Sequence, residues 1–244
     1  MPPKSIADAH GRNRTARPAR PTKPAARGPR RGSQSRVLRI IAGTWRGRRL
    51  RFSAEAPIRP TPDRVRETLF NWLGTTVVGA RCLDLFAGSG ALGLEALSRG
   101  AASVQFIERD AAAARELARL LEEWGAGSEP REVTAGISDS PPAQRRGIGS
   151  WNVRRMDALD WLTERPSPFE IVFVDPPFDS ELAAAAAERL ERRGWLAERA
   201  LIYVEHSART GLPPMPARWT VRKSGRAGEV GYHLLERVLE RAQP

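Results

Sequence analysis

From position 37 onward, short apolar runs alternate with stretches of helical periodicity. Val37 to Phe52 reads as a β-hairpin that turns between Gly43 and Gly47. After it, Arg59-Pro60-Thr61-Pro62-Asp63 predicts a helix start, with Thr61 as N-cap, Pro62 at the first helical position and Asp63 complementing the dipole. Val65, Leu69 and Trp72 then recur at helical spacing. Cys82 to Phe86 is a short buried strand, followed by a glycine loop and a helix through Glu95 to Arg99. Val104 to Ile107 is the next strand, ending at Glu108, and Ala111 to Trp124 is a long helix. Trp151 to Arg155 resumes as a strand, with a short helix over Leu159 to Glu164. Ile171 to Val174 is apolar and β-branched without a break, the pattern of a strand buried on both faces. Leu182 to Arg193 reads as a helix and Leu201 to Glu205 as a strand. Trp219 to Lys223 and Gly231 to Arg237 form a closing hairpin across a Gly-rich, basic loop. Strand–loop–helix–strand repetition of this kind predicts a doubly wound α/β sheet.

Two stretches fall outside the pattern. Residues 1–36 hold ten Lys and Arg against the single Asp8, so +9 of the chain's +12 lies there. Rich in Pro, Ala and Arg, this tail has too little apolar surface to order itself and is expected to be disordered and to meet a polyanion. Residues 125–150 lose periodicity and read as a flexible insertion within one domain spanning 37–240. No apolar run approaches the ~20 residues of a membrane span. A single cysteine, Cys82, permits no internal disulfide and fits a reducing cytoplasm, and His10, His206 and His233 show no metal-ligand spacing. Both later histidines read as structural or solvated.

The candidate chemistry sits at strand ends. Gly88-Ser89-Gly90-Ala91-Leu92-Gly93 matches G-x-G-x-x-G between a strand and a helix, and Glu108 follows Gly88 by twenty positions. That is compatible with a dinucleotide or with S-adenosylmethionine. Asp84, just before the loop, would repel a pyrophosphate at the helix N-terminus but suits an ammonium and a sulfonium. Asp84, Glu108, Asp157 and Asp175 stand at four successive strand ends, where open α/β sheets bind ligands. At the last of these, Asp175-Pro176-Pro177-Phe178 presents a carboxylate, a backbone carbonyl and an aromatic ring on a rigid turn. Acceptors beside a flat apolar face suit an exocyclic amine on a nucleobase. The hairpin carries Arg46, Arg48, Arg49 and Arg51 around Trp45, read as an exposed RNA-contacting surface. Arg64 and Arg66 at the first helix, and Arg222, Lys223 and Arg226 near the closing loop, extend that basic set.

With these residues in view, the chain resembles the bacterial methyltransferases that modify the N2 amine of one guanine in 16S ribosomal RNA. The likeness rests on Arg39 to Arg48, Arg59 to Leu73, Leu83 to Gly100, Ile171 to Phe178, Gly194-Trp195-Leu196 and Leu201 to Glu205. It implies a class I methyltransferase fold, a seven-stranded and mostly parallel sheet whose last strand is antiparallel, with the small basic hairpin in front. It implies S-adenosyl-L-methionine as cofactor, on Asp84, Phe86, Ala87, Gly88, Ser89 and Gly90 for the methionine part. Glu108, with Arg109 beside it, would hold the ribose hydroxyls, and Asp157 with Ala158 would meet the adenine. Asp175, Pro176, Pro177 and Phe178 would receive the base. The expected partner is 16S ribosomal RNA, within a small subunit or an assembly intermediate, with a monomeric, cytoplasmic, metal-free enzyme. Two other readings stay open on the residues alone: an amine methyltransferase acting on DNA adenine or cytosine, and a non-catalytic RNA-binding assembly factor.

Overall fold

The structure, a computed structural model, describes residues 36–52, 61–125, 148–177 and 181–238. The tail, most of the insertion, Arg59 and Phe178 therefore lie outside the described residues.

Two strands, β1 (Arg36–Arg39) and β2 (Arg49–Phe52), pair antiparallel as the expected hairpin. A loop between them doubles back, with Gly43 and Gly47 at positive φ. Helix α1 (Asp63–Leu73) follows, closed by a 3-10 turn at Gly74–Val77. Then β3 (Arg81–Asp84), α2 (Ala91–Ser98), β4 (Ser103–Glu108), α3 (Ala111–Trp124) and β5 (Ser150–Arg155) build one half of the main sheet. The other half comprises α4 (Ala158–Trp161), β6 (Phe169–Val174), α5 (Leu182–Arg192), β7 (Leu196–Ser207), β8 (Trp219–Ala227) and β9 (Val230–Arg237).

The seven strands are ordered β5-β4-β3-β6-β7-β9-β8. The first five are parallel, and β9 runs antiparallel to both of its neighbours. The order reverses between β3 and β6, so the carboxyl ends of these strands splay apart into a crevice. Strand side chains alternate across the sheet. Ile171 and Phe173 pack under α1, α2 and α3, whereas Val172 and Val174 pack under α4 and α5. Both faces are thus covered, which is why β6 carries no polar alternation.

Several expectations need correction. The insertion ends before 150, because the Ser150 N–H already bonds the Ala102 carbonyl at 2.9 Å. Gly149 sits too close to the Ala101 and Ala102 carbonyls to admit a side chain. β8 continues to Ala227, so Arg226 lies in a strand and the closing loop shrinks to a tight turn at Gly228 and Glu229. Thr61 does not cap α1; Pro62 holds the N-cap position with no side-chain bond to the helix.

Candidate active site

The glycine loop is organised by two carboxylates acting on backbone. Asp84 leaves β3 buried at 3 % exposure, and its Oδ2 accepts the Gly93 N–H at 3.0 Å. The N-terminus of α2 is thereby satisfied from inside by a negative charge. A pyrophosphate docked there would have to displace it. Glu108, at the end of β4, accepts from Gly88 N–H at 2.7 Å and from Asp110 N–H at 2.6 Å. Each oxygen keeps a second lone pair for a hydroxyl donor. Asp110 in turn caps α3, accepting from Ala112 and Ala113.

The three glycines divide the work. Gly88 and Gly90 have positive φ, at 52° and 74°, and shape the turn. A side chain on Gly90 would run into Leu117, and one on Gly93 into Phe106. Gly93 therefore serves close helix–strand packing, and Gly90 leaves no room for a side chain beside Leu117. Of the other loop residues, Ala87 is buried, while Phe86, Gly88 and Ser89 are half-buried. Arg109 is exposed. Asp157 caps α4, accepting from Leu159 at 2.8 Å and Asp160 at 3.4 Å, with Ala158 buried behind it.

At the end of β6 lies a cluster that sequence reading left incomplete. Asp175 is half-buried, Pro176 buried and Pro177 exposed. The Thr61 hydroxyl lies 3.3 Å from Asp175 Oδ2 and 2.9 Å from Glu205 Oε1. The Tyr203 hydroxyl donates to the same Glu205 oxygen at 2.8 Å. Thr61, Tyr203 and Glu205 are all buried. Burial pushes Asp84 up to about 7, helped by the Glu108 charge and opposed by the Gly93 amide. Glu205 is also pushed up to about 7 by burial, against the Tyr203 and Thr61 hydrogen bonds. Asp175 is driven well above the carboxylate range by burial, then by the charges of Glu205 and Asp84, with the Thr61 bond pulling the other way. Burial, Glu205 and Asp175 raise the Tyr203 phenol likewise. A signal for Glu205 was present: Leu201 to Glu205 ends an apolar strand in an acid, just as Ile171 to Asp175 does.

Beside Pro176 and Pro177, α5 and the segment after β7 enclose a cavity of about 960 Å3 lined also by Glu181, Glu188, His206 and Met215. His206 Nδ1 meets the Ser207 carbonyl at 2.8 Å, so it carries the proton. His206 Nε2 then accepts from His233 Nε2 at 2.9 Å, and His233 Nδ1 accepts from Ser224 at 2.8 Å. Two neutral rings satisfy this chain, which occupies all four ring nitrogens within the protein, as a structural role would.

The basic set divides. Arg46, Arg49, Arg64, Lys223 and Arg226 are exposed. Arg48 is exposed but lies over the Trp124 ring at 5.3 Å, and Arg222 pairs with Glu236 at 3.1 Å. Arg66 cannot meet RNA: it is fully buried, bonded to Asp63 and the Arg39 carbonyl at 2.7 Å each and to Glu95 at 3.4 Å. Trp45, expected at the surface, is 1 % exposed and packs edge-on against Trp124.

The sheet order, the single antiparallel strand and the acid-lined carboxyl edge are those of a class I methyltransferase. The sequence profile described as Conserved hypothetical protein 95 matches residues 38–236, and the chain belongs to that family. It is 44 % identical over 205 residues to ribosomal RNA small subunit methyltransferase D of Escherichia coli K12, covering 84 % of this chain and 92 % of that protein. It is 41 % identical over 199 residues to the protein of the same name from Haemophilus influenzae, covering 82 % and 93 %. The solved structure of yhhF from Escherichia coli superposes with a TM-score of 0.68 at 43 % identity, covering 84 % of this chain and 99 % of that one.

Proposed function

We propose that this chain is an S-adenosylmethionine-dependent methyltransferase that modifies the exocyclic N2 amine of one guanine in 16S ribosomal RNA. The observation that carries the reading is the Asp175 carboxylate beside the buried Pro176 at the topological switch point, in a chain whose relatives are named ribosomal RNA methyltransferases. The loop fits the cofactor on its own chemistry. Asp84 fills the helix N-terminus that a phosphate would need, and Glu108 offers acceptors to a diol. Asp84, Phe86 to Gly90, Glu108, Asp157 and Ala158 would hold the cofactor, which when bound supplies an electrophilic methyl group on a sulfonium.

The protein's part is to present the amine. The guanine N2 lone pair is delocalised into the ring. Hydrogen bonds from its two N–H groups to the Asp175 carboxylate and the Pro176 carbonyl favour a pyramidal nitrogen, and the rigid turn holds that geometry. Orientation of this kind is worth about 7–11 kcal/mol at its best. Asp175 also stabilises the positive charge that develops on nitrogen. The target base must leave its stack to reach the site. Phe178 would stack on it. Exposed Arg46, Arg48, Arg49, Arg64, Lys223 and Arg226 and the basic tail would meet phosphates and position the enzyme without reading sequence. We read it as a cytoplasmic monomer acting on a small subunit or its assembly intermediate; among the described residues, no helix is long and apolar enough to cross a membrane.

The test is to map methylated guanines in 16S ribosomal RNA from a strain lacking this gene. One N2-methylguanosine should vanish and return on complementation. An unchanged map would overturn the reading, and methyl transfer into duplex DNA instead would favour the DNA enzyme.

A further inference from the structure

Glu205 is a buried carboxylate on β7 that accepts two hydroxyl bonds yet meets the reacting edge only through Thr61. Thr61 lies 144 positions from Glu205 and 114 from Asp175 in sequence, and it comes from the segment entering α1, on another element altogether. The Thr61 hydroxyl has one proton and two carboxylates within reach. Its proton turns to Glu205 at 2.9 Å, on the same oxygen that Tyr203 already holds, or to an ionised Asp175 at 3.3 Å. The Thr61 oxygen accepts from Asp175 only when that group carries a proton.

We propose that Thr61 and Glu205 complete the target-amine site, as positioning residues that act on the substrate through Asp175. Thr61 fixes one Asp175 oxygen, leaving the other for the amine. Glu205 orients the Thr61 hydroxyl and puts a second negative charge behind Asp175, making it a better base. Once methylated, the amine nitrogen carries a positive charge and sheds one proton; the N–H electron pair stays on nitrogen, and Asp175 takes the proton. The resulting carboxylic acid donates to Thr61, so the arrangement is built to hold Asp175 in its protonated product state as well as its ionised starting state. The groups facing the pair are Asp84 from β3, Thr61 from the start of α1, Tyr203 from β7 and, beyond Tyr203, Tyr232 from β9. Glu205 and Asp84 both repel an ionised Asp175, consistent with its upward displacement.

This inference rests on the reading of Asp175 as the acceptor for the guanine amine, and its test separates the two. Single-turnover methylation of 16S ribosomal RNA is followed from about pH 5 to 9 for wild type, Glu205→Gln, Thr61→Val and Thr61→Ser. Glutamine preserves the shape and removes the second charge. The acidic limb of its rate profile should move down by about one pH unit, the scale of one nearby like charge. Thr61→Val should slow the chemical step about tenfold or more, the scale of one hydrogen bond to a charged group, without changing cofactor affinity. Thr61→Ser should restore most of that loss. Thermal stability over the same pH range gives a readout without catalysis: its dependence on pH should be shallower in Glu205→Gln. An active wild type with an unshifted Glu205→Gln rate profile and a stability curve parallel to wild type overturns the inference and leaves the function standing. A wild type that transfers no methyl group to guanine overturns the function, and the inference with it.

Discussion

Two buried polar clusters lie on the same side of the sheet and are built on opposite principles. In the first, Glu95 accepts four hydrogen bonds: Ile41 N–H at 2.9 Å, Ala42 N–H at 3.0 Å, Arg99 at 2.8 Å and Arg66 at 3.4 Å. Arg66 also bonds Asp63 and the Arg39 carbonyl. Two acids face two arginines, so the charges cancel. The cluster pins the hairpin loop to α1 and α2, seconded by Ser98, which donates to Ala42 and accepts from Trp45 N–H. In the second, burial raises Asp84, Asp175 and Glu205, the charges of Glu205 and Asp84 raise Asp175 further, and the bonds that hold them come from neutral amide and hydroxyl donors. A buried pair of opposite charges, once formed, loses stability when either is removed. A set of like charges is held at a cost, and such sets gather where chemistry is done. The first cluster reads as architecture and the second as site.

The largest effect expected from this contrast is on the closed cluster. Glu95→Ala should destabilise the fold by about 3–5 kcal/mol, because it takes the carboxylate from Arg99, leaves Arg66 with Asp63 as its carboxylate partner and strands two amides without acceptors. Urea unfolding checks this; a loss below about 1 kcal/mol would mean the cluster contributes little. Arg66→Ala should behave similarly and should not act as an RNA-contact mutant.

Next comes the pH dependence of the open cluster. Asp84 and Glu205 rise from ordinary values of 3.8 and 4.5 to about 7. The folded state therefore binds more protons than the unfolded chain between about pH 4 and 7, and stability falls as pH rises through that window. Each group would withdraw up to about 3–4 kcal/mol. His233, lowered by burial and by His206, works the other way, so substitution isolates the carboxylates better than the wild-type curve does. Stability of Asp84→Asn and Glu205→Gln measured at several pH values should decline less than wild type between pH 5 and 8. Parallel curves would show that these acids are ionised without penalty.

What the sequence could and could not say follows the same division. Helix α3 was legible to its end residues, because Leu117, Leu120, Leu121 and Trp124 make one apolar face and its ends are set locally. The succession of strands and helices was legible because apolar runs and glycine loops alternate. Burial of charge was not. Arg66, Trp45 and Thr61 sit in stretches that look like basic surface or a cap, and each is claimed by a partner far along the chain: Glu95, Ser98 with Trp124, and Glu205. A carboxylate's partner is a tertiary fact that local pattern does not carry. The Asp-Pro-Pro turn was found because its acceptors are local, while the threonine and glutamate behind it were not.

The smallest expected effects lie on the surface. Arg46→Ala, Arg49→Ala and Arg64→Ala should leave stability within about 0.5 kcal/mol of wild type. Each should weaken RNA binding modestly and flatten the slope of log affinity against log salt by up to about 1. Unchanged slopes for all three would move the RNA-binding face elsewhere.

The most direct measurement of the central claim is single-turnover methyl transfer from S-adenosylmethionine into 16S ribosomal RNA by Asp175→Ala, with the modified nucleoside identified and cofactor affinity measured in parallel. Losing one oriented acceptor should slow transfer by about 3 kcal/mol, or roughly a hundredfold, by analogy with other preorganised sites. Cofactor affinity should stay near wild type, and the wild-type product should be N2-methylguanosine. Near wild-type turnover in Asp175→Ala, or a wild-type product methylated at another position, would contradict the account.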